Sequence, residues 1–141
     1  VVLSSKNGQV RSMDGLWVLA DYDYTSLPEL ADDPLIVDPG GLWPDRRDYR
    51  ENELEHYRWL LEQWKAGGTL AAFGFASYHL GIRPEFKDCP VASSDQTVWS
   101  FKKGGGKYCK KPAVVSTDRF ITVKGPVAIA EGLRLIEEVI E

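Results

Sequence analysis

The sequence predicts a single α/β domain, a mostly parallel sheet with helices on both faces. Two observations predict it. Short apolar runs at 35–37, 69–73 and 120–123 alternate with helical patterns, which argues for crossover connections and a sheet covered on both sides. Turn residues stand at the junctions: Pro39-Gly40-Gly41, Gly67-Gly68, Gly74 and Gly125-Pro126. The 141 residues suit one domain, 1–141, with a sizeable core. No internal repeat, linker or long low-complexity tract divides them.

Taken in order, Val1-Val2-Leu3 begins a strand, and Lys6-Asn7-Gly8-Gln9 marks a turn. Val10-Arg11-Ser12 and Leu16-Trp17-Val18-Leu19 flank Met13-Asp14-Gly15, the pattern of a hairpin with an Asp-Gly turn. Residues 27–30 fit one short helical turn. Leu35-Ile36-Val37 lies between Asp32-Asp33-Pro34 and Asp38-Pro39-Gly40-Gly41 and reads as a fully buried central strand. Residues 48–65 form the clearest helix. Asp48 suits the N-cap with Glu51 three residues on, Leu54, Tyr57, Leu60, Leu61 and Trp64 make one apolar stripe, and Gly67-Gly68 ends it. A buried strand follows at 69–73, then Gly74, a short helix at 75–80, a strand at 90–93, and a Gly/Lys loop over 100–112. Residues 120–123 alternate as a strand. Gly125-Pro126 opens the last helix, whose buried face is expected to carry Val127, Ala130, Leu133, Ile136, Val139 and Ile140.

Composition narrows the function classes. Hydrophobic residues make up 43% and charged residues 27%, an ordinary globular balance. No apolar run approaches the ~20 residues of a membrane span, and the first residues lack a signal-peptide pattern. Net charge is −4, which speaks against nucleic-acid binding through this chain, since phosphate contacts need a basic face. Lys102, Lys103, Lys107, Lys110 and Lys111 around Gly104-Gly105-Gly106 read as a solvated loop rather than a phosphate site. Cys89 and Cys109 have no metal or redox spacing and are expected as free thiols in a reducing cytoplasm. No metal, nucleotide or flavin motif stands out, so no cofactor is expected.

Three segments carry a resemblance, in order: Leu35 through Gly41, ending in Pro-Gly-Gly; Lys65-Ala66-Gly67-Gly68-Thr69-Leu70-Ala71-Ala72-Phe73-Gly74; and Phe120-Ile121-Thr122-Val123-Lys124-Gly125-Pro126. Together they resemble the ThiJ/PfpI superfamily, class I glutamine amidotransferase-like domains with a flavodoxin-like three-layer sandwich. Ser12-Met13-Asp14-Gly15-Leu16 and Val18-Leu19-Ala20-Asp21 are similar to isonitrile hydratases and to the sensor domains of AraC-type regulators. In that family a nucleophilic cysteine follows the second segment, on a strained strand-to-helix turn that lowers its pKa. Here Gly74 stands there. Where many members keep a histidine after the next strand, this sequence has Asp95. His56 and His79 read as structural, and Ser77 lacks a nucleophile-elbow context.

The resemblance implies a crevice outside the carboxyl ends of the strands. The amides of Gly40, Gly41 and Phe75 would favour an oxyanion there, unless the glycines serve only as turns. Trp43 and Tyr78, with Gly74, would wall the pocket, and Asp95 would be the acid or base. The family's first strand and helix, which lie centrally and carry a pocket glutamate, have no counterpart ahead of Val1. Another polypeptide is expected to supply them, as a separate subunit or a cleaved N-terminal fragment; a truncated chain or a rearranged strand order are the alternatives. The functional expectation is a two-chain enzyme acting on a small organic molecule without a cysteine, of hydratase, lyase or hydrolase type. The competing expectation is a non-catalytic binding, sensor or scaffold domain. Since the family pairs as dimers, a symmetric assembly of two-chain units is also implied.

Overall fold

The runs Thr69–Phe73 and Phe120–Val123 are the two most deeply buried strands, β6 and β10, and the domain is organised around them. The computed structural model describes residues 2–4, 8–11, 15–40, 50–102, 104–125 and 128–141. In chain order the strands before β6 are β1 (Leu3–Ser4), β2 (Gly8–Arg11), β3 (Trp17–Ala20), β4 (Tyr22–Asp23) and β5 (Leu35–Asp38). Helix α1 (Arg50–Lys65) precedes β6, and α2 (Phe75–Gly81) follows it. Then come β7 (Pro90–Ala92), the short helix α3 (Val98–Phe101), β8 (Lys107–Cys109), β9 (Val114–Thr117), β10 and α4 (Ile129–Ile140).

The main sheet has the order β5-β6-β10-β9. β5, β6 and β10 run parallel, and β9 closes the sheet antiparallel to β10. Successive side chains on β6 point to opposite faces, so one strand feeds two cores. Leu70 and Ala72 join Tyr57, Leu60 and Leu61 of α1 and Ala76 and Leu80 of α2. Ala71 and Phe73 join Ile121, Val123 and, from the other face, Ile136 of α4. The result is the mixed α/β, three-layer, flavodoxin-like arrangement the sequence predicts. The C-terminus of α1 is tied down by Arg119, which donates from Nη1 to the Trp64 carbonyl (2.6 Å) and the Gly68 carbonyl (3.1 Å). The Trp64 carbonyl belongs to the last turn of α1, where carbonyls have no i+4 partner within the helix.

Several expectations need correction. β5 is not a fully buried central strand. Among the described residues it pairs on one edge only, with β6, and Val37 is 45% exposed. Burial on both faces and edges comes from neighbours, and an apolar run cannot report whether they are present. α4 also buries a different face. Ala128, Gly132 and Ile136 pack inward, while Leu133, Val139 and Ile140 are exposed and Ala130 lies outward too. Gly132 decides this, because a Cβ there would come within 2.7 Å of Val123 Cγ2, so the helix settles on its glycine.

Residues 27–30 are irregular rather than helical. Residues 100–112 are not a plain loop. Gly106 N–H donates to the Gly81 carbonyl at 2.7 Å, Gly105 abuts the Ile82 backbone, and β8 pairs with β7. The glycines let this segment lie against the end of α2. β2 and β3 form the expected antiparallel hairpin, and its Met13-Asp14 turn lies outside the described residues. β1 pairs in parallel with β4. No helix among the described residues is long and apolar enough to cross a membrane.

Candidate functional site

The carboxyl ends of β5, β6 and β10 converge on one edge of the sheet. At its centre is the turn from β6 into α2. Gly74 holds φ 56° and ψ −115° there, and its N–H donates to the Val123 carbonyl at 2.8 Å. An L-residue is strained in this region, and glycine is not. A Cβ added at Gly74 would meet nothing within 4 Å, so the elbow keeps room for a side chain that the sequence does not supply. Ser77 is fully buried behind it, donating to the Ala72 carbonyl at 2.6 Å and accepting from the Val123 N–H at 3.3 Å. That hydroxyl serves the backbone.

Gly40 closes the elbow from β5. It sits at φ 68°, and a Cβ there would overlap the Phe73 carbonyl oxygen. Only glycine lets the two strand ends approach this closely. Its N–H donates to Asp38 Oδ1 at 3.0 Å, so this amide is already engaged by a carboxylate of the same chain. Gly41 and Trp43 lie outside the described residues. Phe75 begins α2 and is half-buried. Tyr78, one turn on, lines a shallow depression of about 280 Å³ with Ile82, Trp99, Ser100 and Gly104, and its ring lies 6.2 Å from that of Phe101.

Beside Gly40 the structure assembles three residues that no sequence motif joins. Asp38 ends β5, His56 lies on α1, and Tyr24 follows β4. His56 Nε2 is 2.9 Å from Asp38 Oδ2, and the Tyr24 hydroxyl is 2.5 Å from His56 Nδ1. A carboxylate can only accept, so Nε2 carries the proton; in the neutral ring Nδ1 then accepts from the phenol. The Asp38 side chain is 12% exposed and that of His56 30%. Burial pushes the Tyr24 phenol up to about 12, with the negative charges of Asp38 and Glu55 adding to it. The ring of Trp59 lies 5.4 Å from that of Tyr24. His79 stacks on Tyr57 at 5.2 Å. Burial pushes His79 down to about 4, with Arg83 reinforcing the shift and Asp38 opposing it.

Asp95 stands beside Lys124, the residue after β10. It follows β7, and its Oδ1 accepts from Lys124 Nζ at 2.7 Å and from the Tyr108 hydroxyl. The hydrogen bond from Lys124, then that from Tyr108, holds the carboxyl below the usual carboxylate range. Its side chain is 65% exposed. Asp95 is therefore an ionised and engaged carboxylate, tied to the residue that follows β10. Cys89 and Cys109 are both free, and no group of three or more metal-binding side chains occurs among the described residues.

No protein-family model and no curated protein matches the sequence. Solved structures do match the fold. A ThiJ/PfpI family protein from Bacillus anthracis aligns with a TM-score of 0.74 and 16% identity over 99% of this chain, which spans 65% of that protein. An AraC family transcriptional regulator from Pseudomonas putida aligns with a TM-score of 0.69 and 19% identity, covering 96% of this chain and 71% of the regulator. A two-domain protein from Anabaena variabilis, with DJ-1/ThiJ/PfpI-like and ferritin-like domains, aligns with a TM-score of 0.73 and 21% identity, covering 99% of this chain and 39% of its own. Identities this low show the fold. It is the fold of ThiJ/PfpI and DJ-1 superfamily proteins, as the three sequence segments predict.

Proposed function

We propose that this chain is one part of a ThiJ/PfpI-like enzyme, completed by a second polypeptide and acting on a small organic molecule without a cysteine nucleophile. The chemistry is of hydratase, lyase or hydrolase type. The observation that carries the reading is the edge of β5 that no strand pairs among the described residues. Val37 there is 45% exposed, and Leu35 packs toward the cluster that holds α4. On α4, Ile129, Leu133, Val139 and Ile140 are 44%, 48%, 50% and 69% exposed. A strand added to β5 would satisfy its free backbone groups, and a helix following that strand would cover the apolar flank of α4. Open strand edges are an aggregation liability. Each large apolar side chain fully buried contributes about 1.5–3 kcal/mol. In this reading the added unit is a separate subunit or a cleaved N-terminal fragment. Asp95, or an acid brought by the partner, handles protons at the crevice.

Native mass spectrometry of the untagged protein tests the assembly. A second polypeptide in fixed ratio supports it. A monodisperse, folded monomer of this chain overturns it. A second reading, a non-catalytic small-molecule-binding or sensor domain, is favoured by the vacant elbow at Gly74 together with the similarity to an AraC family regulator. Ligand binding without turnover supports that reading, whereas turnover lost in Asp95→Asn supports the enzyme.

A further inference from the structure

Beyond the elbow, three places gather functional side chains: the depression beside Tyr78, the Asp95–Lys124–Tyr108 cluster, and the Asp38–His56–Tyr24 chain. The depression is shallow and mostly apolar. The Asp95 cluster belongs to the site already proposed. The third has a directed order of groups and stands against Gly40 at the carboxyl end of β5.

We infer that Tyr24, His56 and Asp38 form an acid–base relay whose working end is the Tyr24 hydroxyl, exchanging a proton with a small uncharged organic molecule at the carboxyl ends of β5 and β6. With the ring neutral, each link has one orientation. The Gly40 N–H holds Asp38 Oδ1 at 3.0 Å, which turns Oδ2 toward His56. Asp38 fixes the imidazole at 2.9 Å, and Nδ1 then meets the phenol at 2.5 Å. An acid that orients an imidazole, which in turn takes the proton of a hydroxyl, is the logic of a hydrolytic triad, with a phenol in the place of serine.

The step balances. As Tyr24 Oη takes a proton from a substrate C–H or O–H, its own proton passes to His56 Nδ1. The products are a substrate anion and an imidazolium held beside the Asp38 carboxylate, and the reverse transfer delivers the proton to the product. Asp38 and Glu55 make the surroundings negative, which disfavours a ligand already anionic and keeps the phenol protonated at rest; in the transfer, the imidazolium formed on His56 offsets the charge that appears on the substrate. Tyr24 is the catalytic residue here; His56 and Asp38 are positioning residues that act through it. The inference shares with the two-part reading only the premise that this crevice does acid–base chemistry.

The test uses an aryl sulfonyl fluoride on the protein as purified, with adducts mapped by peptide mass spectrometry. The phenol oxygen bonds to sulfur, fluoride leaves, and the phenol proton goes to His56. A tyrosine merely buried beside two negative charges reacts more slowly than an ordinary one, so the two accounts predict opposite signs. The relay predicts labelling of Tyr24 at least about tenfold faster than of Tyr22. It also predicts a fall of about tenfold or more in His56→Gln and Asp38→Asn, loss of the adduct in Tyr24→Phe, and no change in Arg134→Ala. Tyr24 labelled no faster than Tyr22 in the parent protein, or equally fast in a folded Asp38→Asn, overturns it. The parent comparison decides even if the Asp38 variant fails to fold. Native mass spectrometry reads the assembly separately, so either proposal can fail alone.

Discussion

At the scale of single residues, the two described glycines of the crevice are different in kind. Gly74 and Gly40 both hold positive φ, but only Gly40 lies against backbone. Gly74→Cys is therefore expected to cost only the backbone strain, about 1–3 kcal/mol. It should give a folded protein whose new thiol reacts with a chromogenic disulfide reagent. Gly40→Ala adds overlap with the Phe73 carbonyl to the same strain and should cost roughly 2–5 kcal/mol. Urea unfolding of the two variants checks the order; equal losses would show that Gly40 is not a point of close approach.

His79 sets a pH dependence. Its folded value, about 4, lies below its ordinary value of 6.5, so between these the unfolded chain binds more protons. Stability is full above pH ~6.5 and falls as pH drops toward ~4, by on the order of 2 kcal/mol after discounting for solvent screening. Unfolding curves of the parent and His79→Gln across that window check the sign, and the variant should show the shallower slope.

At the scale of elements, α4 illustrates how packing overrides pattern. Its apolar residues predict one buried face, yet the helix rests on Ala128, Gly132 and Ile136. Gly132→Ala gains up to ~1 kcal/mol of helix propensity. It also forces a methyl within 2.7 Å of Val123 Cγ2 and 3.1 Å of Phe73 Cε1. Overpacking of this kind costs about 1–3 kcal/mol. The net expectation is destabilisation, read as a lower melting temperature; a higher one would mean that α4 lifts off the sheet freely. On the opposite face, Phe120 is 2% exposed and stacks on Phe86 at 3.9 Å. Phe120→Ala should cost about 3–5 kcal/mol and remove contacts between the sheet and the α1–α2 layer.

At the scale of the whole molecule, the two-part reading treats the edge of β5 and the exposed flank of α4 as one surface. Leu133 and Ile140 are 48% and 69% exposed, so a Leu133→Glu/Ile140→Glu variant should leave the stability of the isolated chain within about 0.5 kcal/mol of the parent. In the two-part reading the same variant should also release the strand–helix partner. Unfolding and native mass measured together separate the two effects: a large stability loss without loss of a partner would place this flank inside the chain's own core.

Much of the fold was legible because it rests on local rules. The runs 69–73 and 120–123, the stripe on α1 and the glycine junctions follow from side-chain period and backbone freedom, which neighbours in sequence determine. The hairpin of β2 and β3 and the glycine at the elbow follow in the same way. Tertiary structure decided the rest. Only packing shows that β5 pairs on one edge alone among the described residues, that β9 joins β10, and that α4 turns on Gly132. The Asp38–His56–Tyr24 chain is the clearest case, since its links span 18 and 32 residues. An acid just before Pro39-Gly40-Gly41 was the one local sign of it. A histidine on a helix face carries no mark of what it will meet. The sequence by itself determined which segments are strand, helix and turn, because those choices depend on local sterics and period. The pairing of distant side chains depends on how the layers close, and only the folded chain decides that.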